Sequence, residues 1–490
     1  MKRITIDPIT RLEGHGKIEI FLKDDGSVEN VYFQVPELRG FEKFCEGRPV
    51  EELSQIVTKI CGVCPGCHHM SSGKAADAVY GVRPTPTAAK LRELFYMAHF
   101  VHSHIAHFYA LAAPDFVVGP TADPAKRNVL GVIEAVGVEI GTEVLKQRRL
   151  AQEIQALLGG HQTHVVMNVP GGVRRGLSEE ERKDIEVKAK GFIEFAQFSL
   201  KVFGDVVLAN ETYVDIILNG PYSLNIYSMG MVDENNHVNF YDGKVRVVDT
   251  KGEEHCKYSP NEYQDYVAER VEPYSYLKYP YLKKIGWKGF VDGQDSGVYH
   301  ATPLSRLNAA DGMATPLAQI EYEKMYKTLG GKPVHATLAM HWARLVELLY
   351  SAERCLELAQ DPGITGNDLQ TKINYDKFPQ EGVGIVEAQR GTLTHHYWTD
   401  KKGIVTKANI IVGTTNNNAP ISMSLKKAAE GLIKKGVEPD QGILNMVEMA
   451  FRAYDPCFSC ATHNLPGEMP LEVNFREPDG KIIRTVKRMR

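Results

Sequence analysis

The chain has 490 residues, which corresponds to roughly three domain-sized units, and 43% of its residues are apolar, 24% charged and 9% aromatic. These proportions are typical of a folded protein and exclude a disordered, collagen-like or low-complexity chain. The 57 Lys and Arg residues nearly balance the 61 Asp and Glu residues, giving a net charge of −4. This balance argues against nucleic acid as a partner.

The sequence predicts a soluble, cytoplasmic protein. Residues 1–7 show neither an apolar signal segment nor a twin-arginine motif. The stretch 94–114 carries no Asp, Glu, Lys or Arg and is long enough to cross a membrane. It contains histidines at 99, 102, 104 and 107, however, and each is costly in hydrocarbon. We therefore expect a helix in a large soluble core and no membrane span.

The hydrophobic pattern predicts an α+β protein that is predominantly helical. Residues 2–35 alternate polar and apolar side chains around a turn signal at 23–27, which predicts an N-terminal β-hairpin region. Between about 220 and 300, short β-prone runs predict a mixed, β-rich middle segment. Helical periodicity predicts helices at about 51–58, 65–80, 86–112, 124–158, 178–203, 337–360 and 423–435.

We expect one large domain, because no linker rich in Pro, Gly or Ser divides the chain and no repeat is visible. The composition shifts after His463 to alternating turn and strand signals. These predict an appended hairpin, so the expected organisation is a domain at 1–463 and a C-terminal extension at 464–490.

Eight cysteines stand at positions 45, 61, 64, 67, 256, 355, 457 and 460. A large chain without a secretion signal keeps its thiols reduced, so a disulfide framework is not expected. Two Cys-x-x-Cys pairs lie near opposite ends of the chain, Cys61 with Cys64 and Cys457 with Cys460. Pro65 suits the first position of a helix, which would make Cys64 the N-cap and favour a thiolate there.

Four thiolates from two such pairs indicate a metal site for a thiophilic ion. Taken alone, the pairs favour a closed, tetrahedral zinc site. Cys67, His68 and His69 could then supply spare zinc ligands.

Further motifs surround the two pairs, and they change this interpretation. In chain order they are Arg11-Leu12-Glu13-Gly14-His15, Arg39-Gly40-Phe41-Glu42, Cys61-Gly62-Val63-Cys64 with His68, His107-Phe108-Tyr109 followed by Asp115, Gly159-Gly160 with His164, Glu387-Ala388-Gln389-Arg390-Gly391, and Asp455-Pro456-Cys457-x-x-Cys460-x-x-His463. From Ile4 to the C-terminus, the sequence closely resembles the catalytic large subunit of nickel–iron hydrogenases. The residues after Cys460 are similar to the cytoplasmic, bidirectional, multi-subunit branch linked to NAD.

The resemblance implies that all four paired cysteines bind nickel. Cys61 and Cys457 would be terminal ligands, while Cys64 and Cys460 would bridge nickel to an iron that also carries carbon monoxide and two cyanides. The implied activity is the reversible, heterolytic cleavage of H2 to protons and electrons. A second metal that shares two thiolates leaves room for reaction, which a closed four-sulfur zinc site does not.

The resemblance also assigns residues above the metals. Arg390 would reach over the iron and offer positive charge to the cyanides, and Thr414 would donate to a cyanide. Asp115 and Asp455 would complete a polar canopy. The ordinary alternatives are a surface ion pair for Arg390, a loop or strand threonine for Thr414 and a turn residue before Pro456 for Asp455.

Two further roles concern protons and the supporting groups. Glu13 would lie beside the terminal thiolate of Cys457 and relay a proton outward, against the alternative of an exposed carboxylate at a hairpin edge. His68 would donate to a bridging cysteine, against the alternative of an ordinary core histidine. Glu42 and His463 would bind Mg2+ together with a carbonyl and waters, against the alternative of a helix-start carboxylate.

Some residues fall outside these assignments. The histidines at 99, 102, 104 and 107 are interpreted as core or supporting residues rather than a second metal site. Lys59 stands where the family commonly has arginine, and Gln389 and Gly413 stand where it commonly has proline. Cys67 is an extra thiol without an assigned role.

The resemblance implies that the partner is an iron–sulfur small subunit, with further electron-acceptor subunits behind it. The remaining cysteines at 45, 67, 256 and 355 form no iron–sulfur motif, so electrons must leave to another chain. It also implies that the extension at 464–490 is removed after nickel is loaded. Two alternative functions are a hydrogen sensor and a nickel-free, quinone-reducing respiratory subunit of related fold, and the paired cysteines argue against the second.

Overall fold

The computed structural model describes residues 2–436, 438–461, 471–477 and 481–488. The helices are α1 (Phe41–Cys45), α2 (Val50–Ile56), α3 (Pro65–Tyr80), α4 (Pro86–Ala106), α5 (Val129–Val136), α6 (Val138–Gly159), α7 (Glu179–Phe203), α8 (Glu211–Asn219), α9 (Tyr263–Tyr266), α10 (Pro303–Ala309), α11 (Pro316–Thr328), α12 (Met340–Gln360), α13 (Asn418–Leu432), α14 (Gln441–Arg452) and α15 (Phe458–Ala461).

The strands form small, mostly antiparallel sheets. They are β1 (Lys2–Ile6), β2 (Lys17–Leu22), β3 (Val28–Gln34), β4 (Asn168–Val169), β5 (Gly172–Val173), β6 (Tyr227–Val232), β7 (Lys244–Val248), β8 (Glu254–Tyr258), β9 (Val267–Val271), β10 (Lys278–Leu282), β11 (Tyr299–His300), β12 (Glu381–Ala388), β13 (Gly391–Thr399), β14 (Val405–Ile411), β15 (Leu471–Arg476) and β16 (Ile482–Arg488). The sheet orders are β1-β2-β3, β11-β6-β7-β8, β12-β13-β14, β9-β10, β4-β5 and β15-β16.

The predicted α+β, mainly helical fold is confirmed, and the predicted helices differ from the structure mainly at their ends. The segment predicted at 86–112 is α4 followed by two π-helical turns, His107–Ala112 and Pro114–Val118. The segment predicted at 124–158 is two helices, α5 and α6, which meet at Gly137 with φ +95°. Glycine tolerates this backbone, and a helix does not continue through it.

The core consists of long buried helices. Helix α12 packs on α4 and α7, and α4 packs on α6. The four histidines of the uncharged 94–114 stretch are buried in this core. In the described part of the chain, none of the helices combines the length and the apolar character needed to cross a membrane.

Helix α3 and the β12–β13 hairpin pack closely against each other. This packing positions the start of α3 and the hairpin turn. A Cβ atom on Gly384 would lie 2.0 Å from the carbonyl oxygen of Ser71 in α3, so β12 approaches the helix backbone as closely as only glycine allows. The turn of the hairpin is held by the buried Arg306. Its guanidinium bonds Glu347 and Glu387, and it donates to the carbonyl of Ala388 at 2.7 Å.

The predicted C-terminal hairpin is present as β15 paired antiparallel with β16. Residues 462–470, which include His463, lie outside the described residues. The predicted boundary at 463/464 therefore stays a prediction.

Candidate metal centre

The first cysteine pair lies where a short 3-10 helix, Val57–Ile60, ends and α3 begins. Cys61 has extended backbone, and Cys64 is the N-cap of α3 with Pro65 at the first helical position, as the sequence predicted. The backbone N–H groups of Val63 and Cys64 point at the sulfur of Cys61, at 3.2 and 3.4 Å. These donors favour a thiolate at Cys61.

The second pair is held against the N-terminal segment. After α14 ends, Asp455 adopts a left-handed backbone with φ 53° and turns the chain towards Cys457. Cys457 forms an isolated parallel bridge with Glu13, and the N–H of Phe458 donates to the Glu13 carbonyl at 3.0 Å. A Cβ atom on Gly14 would meet the Ser459 nitrogen at 2.8 Å, so the glycine of the Arg11–His15 motif permits this approach.

The structure brings the four paired cysteines together. Their sulfur atoms all lie within 4.8 Å of one another, and all four residues are buried. The Cys61–Cys457 distance is 3.1 Å, the Cys64–Cys460 distance 3.3 Å and the Cys457–Cys460 distance 3.0 Å. Each of the first two contacts joins sequence positions almost 400 residues apart, with a separation of 396.

The four buried thiols could ionise together only with a cation beside them. Burial raises the pKa of Cys457 and Cys460 well above the ordinary thiol value, whereas hydrogen bonds with Cys457 and Cys460 lower the pKa of Cys61. The polypeptide alone therefore favours one thiolate among four sulfurs. A thiophilic metal ion supplies the charge that would ionise the others, so the donor set fits a nickel–iron centre.

Glu13 lies beside this cluster, as predicted. Its Oε2 accepts from the thiol of Cys457 at 2.9 Å and from the N–H of Ser459 at 3.1 Å. The side chain is half-buried, and burial raises the pKa of its carboxyl group. Glu13 is thus in position to exchange a proton with the Cys457 sulfur.

Arg390 is the second residue of the two-residue turn between β12 and β13. Its guanidinium forms a buried ion pair with Asp455 at 3.0 Å, and its Nε has no acceptor in the described part of the chain. Thr414 contacts the cluster directly, since its Oγ1 accepts from the N–H of Cys457 at 3.1 Å. Arg390, Asp455 and Thr414 therefore gather at the sulfur atoms.

Asp115 is held apart from this group. Its carboxylate accepts from Arg11 at 2.5 Å and from Arg452 at 3.2 Å, and Asn445 also donates to it. The structure thus places Asp115 in a buried ion-pair cluster that ties the π-helical turn to α14 and the N-terminal loop.

His68 contacts the cluster at the sulfur of Cys460. Its Nε2 lies 3.5 Å from the sulfur of Cys460, and its Nδ1 lies 3.1 Å from Nε2 of His395. The chain of contacts continues from His395 to the hydroxyl of Tyr397 at 2.6 Å, which donates to Ser72 at 2.9 Å. His68 is therefore oriented by a buried hydrogen-bond chain that reaches from β13 back to α3.

The suggestion that Cys67, His68 and His69 supply additional zinc ligands is wrong. His69 contacts the carbonyl of Ser54 and accepts from the N–H of Asn168, and the thiol of Cys67 donates to Gln389. Among the described residues, the grouping that could hold a metal contains the four paired cysteines and no other residue.

Glu42 lies in a separate oxygen-rich pocket. The buried ammonium of Lys278 contacts carboxylate oxygens of Glu42 and Glu269, each at 3.1 Å. It also donates to Asn409 at 3.2 Å and to the carbonyl of Ile410 at 3.4 Å. The cation at these oxygen atoms is the ammonium of Lys278, and His463, the second predicted magnesium ligand, lies outside the described residues.

The other histidines have partners of their own. His99 pairs with Gln155, His104 with Glu347 and His107 with the carbonyl of Arg452. Burial lowers the pKa of His99 and of His104 to about 4, so both are neutral. Among the described residues, none of these histidines belongs to the grouping of side chains that could hold a metal.

The sequence analysis missed Lys278, His395, Tyr397 and Ser72. Lys278 is a buried lysine at the start of a strand, and no local pattern distinguishes it from an exposed one. His395 and Tyr397 alternate on β13, so the period of two placed them on one face. Nothing in their spacing could connect that face with His68.

The known proteins that resemble this chain agree with a metal centre at the four cysteines. Residues 39–130 and 136–463 match the family described as nickel-dependent hydrogenase, and residues 3–38 match one described as HoxL-like. The chain therefore belongs to the nickel-dependent hydrogenase family. It is the large subunit of a hydrogenase, an oxidoreductase acting on hydrogen, as the resemblance predicted.

Individual relatives cover nearly the whole chain. It is 50% identical to a protein of Archaeoglobus profundus that is named as an iron-sulfur subunit of an F420-non-reducing hydrogenase, over 99% of this chain and 100% of the relative. It is 37% identical to the NAD-reducing hydrogenase HoxS subunit beta of Cupriavidus necator, over 98% and 99%. A crystal structure of an NAD+-reducing [NiFe]-hydrogenase superposes with a TM-score of 0.88 at 35% identity, over 94% of this chain and 100% of that one.

We expect Cys457→Ser to abolish nickel binding. A serine hydroxyl keeps the shape of the side chain, but it ionises far less readily than a thiol and is a poor ligand for a soft metal. Nickel and iron per protein chain should be measured after purification. Cys355→Ser is the matched control, because Cys355 is equally buried but lies outside the cluster; a full nickel content in Cys457→Ser would contradict the assignment.

Proposed function

We propose that this chain oxidises and forms H2 reversibly at a nickel–iron centre bound by Cys61, Cys64, Cys457 and Cys460. The observation that carries the proposal is the group of four buried sulfurs within 4.8 Å, with the Glu13 carboxylate 2.9 Å from one of them. When bound, the centre supplies two metals that split H2 into protons and an electron pair. The surrounding side chains hold the centre and move the proton.

Glu13 would carry the proton. It is the carboxylate in contact with the Cys457 sulfur, and burial raises the pKa of this carboxyl group, so it holds a proton more readily than an exposed glutamate does. The side chain of Glu13 is partly exposed in this chain, whereas the four cysteines are buried.

Arg390 and Thr414 would hold the anionic ligands of iron, which also carries carbon monoxide beside its two cyanides. The Nε–H of Arg390 is buried without an acceptor in the described chain, and an anionic ligand would satisfy it. The hydroxyl of Thr414 accepts from Cys457 and keeps its own hydrogen to donate. Asp455 would fix the direction of Arg390 through their ion pair.

Glu42 and His463 would bind Mg2+ at the oxygen-rich pocket. The carbonyl of Ile410 and the carboxylate of Glu42 both face the ammonium of Lys278, and hard oxygen donors are what Mg2+ selects.

His68 and Asp115 would act as supporting residues. His68 would support the centre from the Cys460 side, because its Nε2 lies against that sulfur. Asp115 would hold the N-terminal loop and α14 in place through its ion pairs with Arg11 and Arg452.

The electrons would pass to an iron–sulfur small subunit, then onward to further acceptor subunits. The described cysteines outside the cluster, at 45, 67, 256 and 355, belong to no metal-binding group. One relative is named as F420-non-reducing and another as NAD-reducing, so the final acceptor differs among them. The cytoplasmic location predicted from the sequence stays a prediction.

Infrared spectroscopy and H2 turnover test the proposal together. The purified complex should contain nickel and iron, show stretching bands of bound carbon monoxide and cyanide, and catalyse both H2 oxidation and H2 formation with an artificial redox dye. Zinc in place of nickel and iron, without those bands, would refute it. The metals and bands without robust turnover would favour a hydrogen sensor.

We expect Glu13→Gln to assemble the metal centre normally and to lose turnover in both directions, on the order of 10²–10⁴-fold. Glutamine keeps the shape and can still bond the Ser459 N–H, but it cannot carry the proton. Dye-linked H2 oxidation and H2 formation should be measured per nickel. Glu37→Gln, which changes a carboxylate paired with His15 in the same region, should remain active; wild-type turnover of a fully metallated Glu13→Gln enzyme would show another proton route.

We also expect the active, nickel-containing protein to end at His463. Removal of 464–490 would allow the new C-terminus to reach the Glu42 pocket. Intact-mass spectrometry of active enzyme decides the matter, with the precursor from nickel-starved cells as the control. A full-length mass in fully active protein would show that the extension is retained.

A further inference from the structure

Cys67 and Gln389, which the proposed mechanism does not use, are in contact behind the metal centre. The thiol of Cys67 donates to Oε1 of Gln389 at 3.0 Å, and both side chains are fully buried. Cys67 follows Cys64 by three residues in the first turn of α3, and its N–H bonds the Cys64 carbonyl at 3.2 Å. Gln389 is the first residue of the hairpin turn that carries Arg390.

The amide nitrogen of Gln389 is left without an acceptor. Its Nε2 has no hydrogen-bond partner anywhere in the described residues, although an amide NH2 has two hydrogens to donate. Unpaired buried donors are rare, because they lose their bonds to water and gain nothing in return. The adjacent Arg390 Nε is unpaired in the same way. Two neighbouring donors of one turn therefore lack acceptors among the described residues, and the Arg390–Asp455 ion pair joins this turn to the segment that carries Cys457.

The position of the Gln389 amide is determined from both ends. Arg306 donates to the Gln389 carbonyl at 3.3 Å and so fixes the backbone, while Cys67 fixes the side-chain oxygen. With the thiol as donor, the amide oxygen must face Cys67 and the NH2 group must face away from it. In this orientation the contact between Cys67 and the amide oxygen leaves the NH2 group of Gln389 unpaired.

We propose that the Nε2–H of Gln389 donates a hydrogen bond to a diatomic anionic ligand of the metal centre, a cyanide, and that Cys67 holds the amide in the donating orientation. The inference rests on the proposed function, since the acceptor belongs to the iron. It adds a donor to those of Arg390 and Thr414.

Infrared spectra of Gln389→Leu test the donor. Leucine has a similar volume and no hydrogen to donate, so nickel and iron content should match the wild type. A hydrogen bond at the nitrogen of a bound cyanide raises its stretching frequency, and its loss should move one cyanide band to lower wavenumber. Unchanged cyanide bands in the metallated variant would overturn the proposal.

A second pair of variants tests Cys67 independently, even if Gln389→Leu does not assemble. Cys67→Ser keeps a donor to the amide oxygen and should keep the wild-type bands, whereas Cys67→Ala releases the amide and should split or shift the same cyanide band. Identical spectra for the two variants would overturn the positioning role. Cys355→Ser serves as the control for a distant buried thiol. Absence of carbon monoxide and cyanide bands from the wild type itself would refute the iron ligands of the proposed function, and this inference with them.

Discussion

The structure depends on the burial of four clustered cysteine thiols, which cannot all ionise unless a cation is bound beside them. Each sulfur is within about 3 Å of another, and burial holds the pKa of two of them far above the ordinary value. A protein core does not hold four thiolates without a cation beside them. The elements around the cluster are therefore arranged to position these four side chains, and the metals complete the balance of charge.

The scaffold achieves this with close backbone contacts rather than with a continuous sheet. Helix α3 delivers one pair at its N-terminus, and the short α15 delivers the other. Glycines at 14 and 384 let the N-terminal loop and β12 approach more closely than any side chain would permit. Arg306 forms ion pairs with two buried glutamates and fixes the β12–β13 turn. The turn residues Gln389 and Arg390 are therefore held in place.

The sequence revealed the chemistry more fully than the architecture. Spacing within each Cys-x-x-Cys pair is local, so the metal ligands and the N-cap at Cys64 could be predicted, and the motif around Glu13 placed it correctly at Cys457. The break between α5 and α6 was missed because both sides are helical in pattern and only the left-handed Gly137 divides them. Lys278, His395 and the Cys67–Gln389 contact were missed because each depends on residues more than a hundred positions apart, which periodicity does not connect.

The separation of 396 residues between the two cysteines of each contact also constrains the biosynthesis of the protein. A ribosome that has finished the helical core has still not delivered Cys457 and Cys460, so a growing chain offers a metal only half of its ligands. Two cysteines on an incomplete chain would bind a competing thiophilic ion as readily as the right one. The centre can therefore be completed only after Cys457 and Cys460 have been synthesised. The site closes with α15, the last helix among the described residues, and stays open to delivery of its metals until then.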